Sequence, residues 1–270
     1  MATTKAKPEA KPAAKSTSTA IAKAKVNLPA NINEQFANEV AALQKRISAP
    51  SGDRITVTQG KTFKLPNGLE VDELECVIVD FVAANFYYDT QFDRNNIVPP
   101  KCFAIGLEPA GLVPSANSPD VQCEGGCAGC WANQFKSAPN GRGKACSNTR
   151  LLGVIPLDAD ADTPIQILKV SSTGLKSFDG HVATVASKYG MPIRGVATKV
   201  SFSDDEWASL RFSVIEALST KDPLLAIAQS LKESTLTRLQ VEPDVSTAAN
   251  DSKPAPRRAV PAKKVANARR

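Results

Sequence analysis

Four of the six cysteines in this chain fall within residues 123–146, as Cys123, Cys127, Cys130 and Cys146 in the spacing C-x3-C-x2-C-x15-C. A closed structural Zn2+ site takes four thiolates in a tetrahedron, two or three from a tight knuckle and the last from a returning loop. Gly125, Gly126 and Gly129 give the backbone the freedom that such a knuckle needs. A metal held there orders a segment with almost no apolar residues of its own. Cys102 is close enough in sequence to replace Cys123 as a ligand. An iron–sulfur cluster, or free thiols on a flexible loop, are the other readings of the same spacing.

The residues between these thiols carry a second kind of chemistry. Trp131 and Phe135 stand among Lys136, Arg142, Lys144 and Arg150. Flat π surfaces mixed with cations are what an unpaired nucleic-acid strand needs, because bases stack while phosphates are neutralised. The same two rings would serve equally well to pack the cysteine loop against the rest of the fold.

Other sites fail on inspection. GRGK at 141–144 is not a phosphate-binding loop, since Ala138 and Ala145 occupy the positions of the first glycine and of the Ser/Thr. Asp158, Asp160 and Asp162 alternate, but Thr163 and Lys169 stand where a calcium loop needs Gly and Glu, so a solvated turn is expected. The sole histidine, His181, is expected on the polar, solvent-facing side of a helix, without a nucleophile to serve. A zinc deaminase needs H-x-E ahead of P-C-x-x-C, which is missing. The chain is therefore expected to be non-catalytic.

Charge is unevenly spread. Of 33 Lys/Arg and 27 Asp/Glu, six Lys and one Glu lie in 1–27, and seven Lys/Arg and one Asp in 251–270. That leaves 20 basic against 25 acidic residues in 28–250, an acidic core between two basic arms. The arms offer too little apolar surface to offset chain entropy, so disordered basic tails are expected over 1–27 and 241–270. Such arms suit a polyanion through counterion release. No apolar run approaches the roughly 18 to 20 residues of a membrane span, and no secretory signal is seen, so a reducing cytoplasmic setting is expected. There the thiols are more readily metal ligands than disulfides.

The elements that must position these groups follow from periodicity. A short amphipathic helix is expected around Phe36, Val40, Leu43 and Ile47, then strands at RITVTQG and KTFKLPNGLEV and a long one at LECVIVDFVAANFYYDTQFD. Strict alternation in the long strand puts Val77, Val79, Phe81 and Ala83 on one face and Ile78, Val82, Phe86 and Tyr88 on the other. Both faces are largely apolar, which predicts a strand that is central or lies in a small barrel, with Cys76 as a small buried hydrophobe. Further strands are expected at IVPPKCFAIGL, TRLLGVIPL, IQILKVS, VATKVSF and the hairpin partner within SDDEWASLRFSVIEAL. The clearest helix opens at Ser172 or Thr173 with Leu175, Phe178, Val182, Val185 and Tyr189 as its apolar stripe, ending at Gly190-Met191-Pro192. A last helix follows Asp222-Pro223. The class is α+β, mainly β: a small barrel or curled antiparallel sheet with one prominent helix.

The order of LPNGLEVDELECVIVDFVAANFYYDTQFD, PPKCFAIG, the cysteine cluster with WANQFKSAPNGRGKAC, TRLLGVIPL and LKVSSTGLKSFDGHVATVASKYGMPIRGVATKVSF resembles that in a group of bacteriophage single-stranded-DNA-binding replication proteins. The resemblance spans roughly residues 55–215. It implies one OB-like domain over 28–240 with a zinc-loop insertion at about 107–148, working beside phage replication proteins in the host cytoplasm. It also implies a non-catalytic coat for single-stranded DNA, with Trp131, Phe135 and members of the set Phe86, Tyr87 and Tyr88 as stacking platforms and Lys136, Arg142, Lys144 and Arg150 on phosphates. Where such proteins often end in an acidic recruiting tail, this chain ends in RRAVPAKKVANARR. A zinc-containing module that contacts another protein or regulates transcription is the rival reading, and a nuclease built on scattered carboxylates is a more distant one.

Overall fold

The computed structural model describes residues 52–90, 98–204 and 208–245, all within the unit Pro50–Arg270. The expected helix at 36–47, the N-terminal tail and the chain beyond 245 lie outside these residues. Nine strands form one sheet: β1 (Arg54–Val57), β2 (Phe63–Lys64), β3 (Glu70–Val71), β4 (Leu74–Tyr87), β5 (Cys102–Gly106), β6 (Cys146–Pro156), β7 (Gln166–Val170), β8 (Val196–Phe202) and β9 (Leu210–Ala217). The order is β3-β2-β1-β7-β6-β4-β8-β9, with β5 on β4. All pairs are antiparallel except β1 and β7, which run parallel.

β4 is the spine. β6 pairs with it over nearly its whole length, while its other edge is shared, β8 taking Leu74–Val77 and β5 taking Ala83–Tyr87. A strand covered on both edges and both faces has to be apolar throughout, as LECVIVDFVAANFY nearly is. Cys76 is fully buried, as expected.

Strict alternation along β4 does not survive. The ladder with β6 slips between Ile78 and Asp80, where a bulge puts two residues of β4 opposite Gly153. The extra residue resets the parity. Ile78 and Phe81 therefore share one core cluster, Val77 and Val79 a second, and Val82 and Phe86 a third on the same side as Val77. Asp80 explains the position: its Oδ1 accepts the N–H of Phe81 at 2.8 Å, satisfying a donor next to the irregularity.

The sheet curls into a half-barrel. Phe63 of β2 stacks on Phe202 of β8 at 4.5 Å, and the Lys61 ammonium donates to the Ser203 carbonyl at 3.0 Å, so strands far apart in the order meet across the curl. Helix α1 (Leu175–Thr184) fills the concavity, and a π-turn, Val185–Tyr189, extends it to Gly190 at φ +64°. Phe178, fully buried, meets Phe81 and Phe212 edge-on at 4.9 and 5.2 Å. Burial of one such ring contributes about 1.5–3 kcal/mol. On the opposite face the last expected helix is two, α2 (Pro223–Ser230), capped by Asp222 Oδ1 on the Leu224 N–H, and α3 (Lys232–Leu239). Leu224 and Ala228 cover Val77, Val79 and Ile155, and Leu239 covers Val82, Ala84 and Phe86.

His181 is not solvent-facing. It is 5% exposed, and its Nε2 lies 3.1 Å from Thr198 Oγ1. The reason is positional: 181 falls three after Phe178 and four before Val185, in the middle of the buried stripe of a helix sunk into a curled sheet. Burial holds its pKa below the usual histidine value. The folded form thus favours neutral imidazole, and that stability, complete above about pH 6.5, drains away as pH falls through the depressed folded value. Thermal unfolding midpoints should decline between pH 7 and pH 5, before most carboxylates titrate, and His181→Gln should flatten that decline. An equal pH slope in the variant would contradict this assignment.

Candidate nucleic-acid interface and thiol centre

The end of β4 organises the site. Tyr87 lies opposite Cys102, the first residue of β5, and opposite Cys146, the first residue of β6. Directly paired residues share a sheet face, so both thiols project to the side of Tyr87, Asn85 and Ala83. The segment between β5 and β6 folds over that side. Its Cys127 N–H donates to the Leu112 carbonyl at 2.8 Å, and Gly126, at φ +97°, turns the chain into the knuckle. Cys102, Cys123, Cys127, Cys130 and Cys146 all line one cavity of about 10 Å3. Five sulfurs, one more than a tetrahedron takes, surround a space of the order of a single small occupant.

Cys102, Cys127, Cys130 and Cys146 are each 9% exposed or less, whereas Cys123 is only half-buried and its Sγ donates to the Gly126 carbonyl at 3.4 Å. Burial, together with the neighbouring sulfurs, pushes the Cys123 and Cys146 thiols up to about 12. Burial also raises Cys127, but the Asn85 side chain hydrogen-bonds its sulfur and pulls the other way. Asn85 is 5% exposed, and its Oδ1 is held by Asn148 Nδ2 at 2.7 Å, which aims the amide N–H at Cys127. An amide turned on a sulfur favours thiolate. The donor set fits a thiophilic ion. Even so, among the described residues no three Cys, His, Asp or Glu side chains stand in the arrangement of a finished metal cage.

With little apolar mass, the loop is knitted by side-chain hydrogen bonds. Asn133 Nδ2 donates to the Cys127 carbonyl at 2.7 Å, and its Oδ1 accepts from Lys144 Nζ at 3.0 Å. Ser137 Oγ donates to the Ala132 carbonyl and accepts the Ala145 N–H, each at 2.9 Å. Periodicity could not find these groups, although Asn85 was visible as a polar residue inside an apolar strand.

The structure divides the sequence-derived interface residues between two sides of the sheet. Trp131 is 50% exposed and meets Tyr87 edge-on at 5.7 Å, while Phe135 is 72% exposed. Lys136, Arg142 and Lys144 are exposed on the same loop, Lys136 holding φ +73° with its N–H on the Gly143 carbonyl at 2.6 Å. Phe86 and Tyr88 belong to the other side. Phe86 is buried with Lys169 Nζ 4.8 Å above its ring, and Tyr88 is 38% exposed. Arg150 lies on the loop side but is engaged, its guanidinium 3.5 Å from Asp179 of α1.

No protein-family model, no curated protein and no solved structure matches the chain. No helix among the described residues is long and apolar enough to cross a membrane.

Proposed function

We propose that the protein is a non-catalytic binder of single-stranded DNA whose cysteine loop is fixed to the sheet by Zn2+, and that it protects strands during phage replication or recombination. One observation carries the reading. Among the described residues, the only exposed aromatic side chains are Tyr88, directly after β4, Trp131, which touches Tyr87 at the end of β4, and Phe135 on the same cysteine loop as Trp131. Exposed rings set among cations offer the stacking platforms and charges that an unpaired strand binds. Lys136, Arg142 and Lys144 stand on the loop that carries two of the three. The order of motifs, which resembles that in phage single-strand binders, supports the same reading.

In this proposal Trp131, Phe135 and Tyr88 stack bases, Tyr87 buttresses Trp131, and the three loop cations meet phosphates. Arg150 is tied to Asp179 and so joins β6 to α1. A bound zinc would supply charge and cross-linking of the loop and no reaction chemistry. Four of the five thiols hold it, with Asn85 steadying Cys127.

A titration with oligo-dT and with a duplex of the same length, repeated over a range of salt, tests the function. Tighter single-strand binding is expected, with log affinity against log salt falling at a slope of about −2 if three phosphates are neutralised. Equal affinity for duplex would overturn the single-strand reading, and no affinity for either would shift the exposed rings to a protein-contact role.

A further inference from the structure

Two cavities of about 350 Å3 each have Arg54 of β1 and Lys169 of β7 in their common wall; the one that also takes Phe86, Ile105 and Leu151 opens on the sheet face opposite the cysteine loop, and the other lies along β1 beside Leu210. They therefore form one groove with two cations at its waist. Register explains the pairing: Arg54 lies level with Ile167 in the parallel β1–β7 pair, so Arg54 and Lys169, two residues along β7, share a face. Neither cation has an ion-pair partner among the described residues. They crowd each other instead, and burial followed by the Arg54 charge depresses the Lys169 ammonium below the usual lysine range.

One half of the groove is aromatic and apolar. Lys169 stands over the Phe86 ring, the half-open Tyr88 ring lies alongside, and Pro99, Pro100 and Pro243 complete the wall. Asp244 is the acidic residue in that wall. Each cavity is at the small end of the range for a single ligand unit. Two cations placed together beside a ring ask for an anion that carries its own ring, since a bridging phosphate removes their repulsion while its base covers the aromatic surface.

We infer that this groove is a nucleotide-binding channel: a phosphate of a single-stranded polynucleotide bridges Arg54 and Lys169, and the adjoining base stacks on Tyr88. The inference rests on the single-strand reading above but uses none of the loop residues. It also lengthens the interface. Tyr88 follows directly on Tyr87, which touches Trp131, so the end of β4 belongs to both surfaces.

The test is fluorescence anisotropy with labelled oligo-dT over a salt series, using the full chain and three variants. The double variant Arg54→Gln/Lys169→Gln should bind at least tenfold more weakly, with a salt slope shallower by about 0.7 because the one phosphate that both cations neutralise is released. The charge-conserving Arg54→Lys/Lys169→Arg should keep the slope. Tyr88→Ala removes no charge, so it should weaken binding by between about fivefold and about 150-fold and leave the slope unchanged. Wild-type affinity and slope in the double variant would overturn the channel while leaving the single-strand reading intact. So would a shallow slope in the charge-conserving variant, or no effect of Tyr88→Ala. Failure of the wild-type chain itself to bind oligo-dT would overturn both.

Discussion

Replacing Cys127 and Cys130 together by serine will take the purified protein from one bound zinc to none, read by native mass spectrometry. It will also open the loop between Leu112 and Cys146 to proteolysis. The expected effect is large because structural zinc sites bind with apparent free energies of about 10–16 kcal/mol in small peptides, and this pair would be half of the proposed ligand set. The loop has little else to hold it. Its apolar anchors are Leu112, Cys127, Cys130, Ala132 and Cys146, in two small clusters apart from those under the helices. The melting of the half-barrel should therefore move much less than the loop. Single variants then identify the fourth ligand. Cys102, buried on β5, should be required and the half-buried Cys123 dispensable, so Cys102→Ser should lose metal where Cys123→Ser keeps it. One zinc retained in the Cys127/Cys130 double variant would contradict the site.

The second large effect is on the strand. Trp131→Ala and Phe135→Ala remove the two most exposed rings among the described residues, and each stacked base is worth about 1–3 kcal/mol. Together they should cost at least about thirtyfold in oligo-dT affinity while leaving the salt slope intact, because no cation is lost. Neither side chain is part of a core cluster, so thermal stability should hold. The Trp131 contact with Tyr87 gives an optical readout in the same experiment, since indole emission should change when a base covers it. Unchanged affinity in the double variant would make these rings mere loop packing.

Much of this architecture was legible in the chain. Period-two and period-3.6 patterns located the described strands and α1, the Pro-Asn-Gly turn between β2 and β3, and the β8–β9 hairpin, because each element buries one side against a neighbour. Three things escaped. The bulge at Val79–Asp80 flips the faces of everything after it, and only Asp80, a lone acid in an apolar run, hinted at it. The curl of the sheet draws α1 in so that His181, in line with Phe178 and Val185, is buried, although as a polar residue beside Val182 it looked exposed. The parallel pairing of β1 with β7 joins segments more than a hundred residues apart and creates the Arg54–Lys169 waist, which no local pattern encodes.

The candidate site was half legible. Cysteine spacing located the loop, and all of Cys123, Cys127, Cys130 and Cys146 meet around one cavity with Cys102 added from β5. The alternation that sends Tyr87 to the loop and Tyr88 to the far side is a property of the strand, but which side carries the thiols depended on pairing with β5 and β6.

The central claim is that a metal-bound cysteine loop holds exposed rings in place for an unpaired strand. It is tested most directly by measuring oligo-dT affinity for one preparation before and after the metal is removed by chelation and then restored. Weaker binding by the stripped protein and recovery on adding back zinc are expected. A chain that contains no zinc as purified, yet holds the strand as tightly with or without it, would contradict the account.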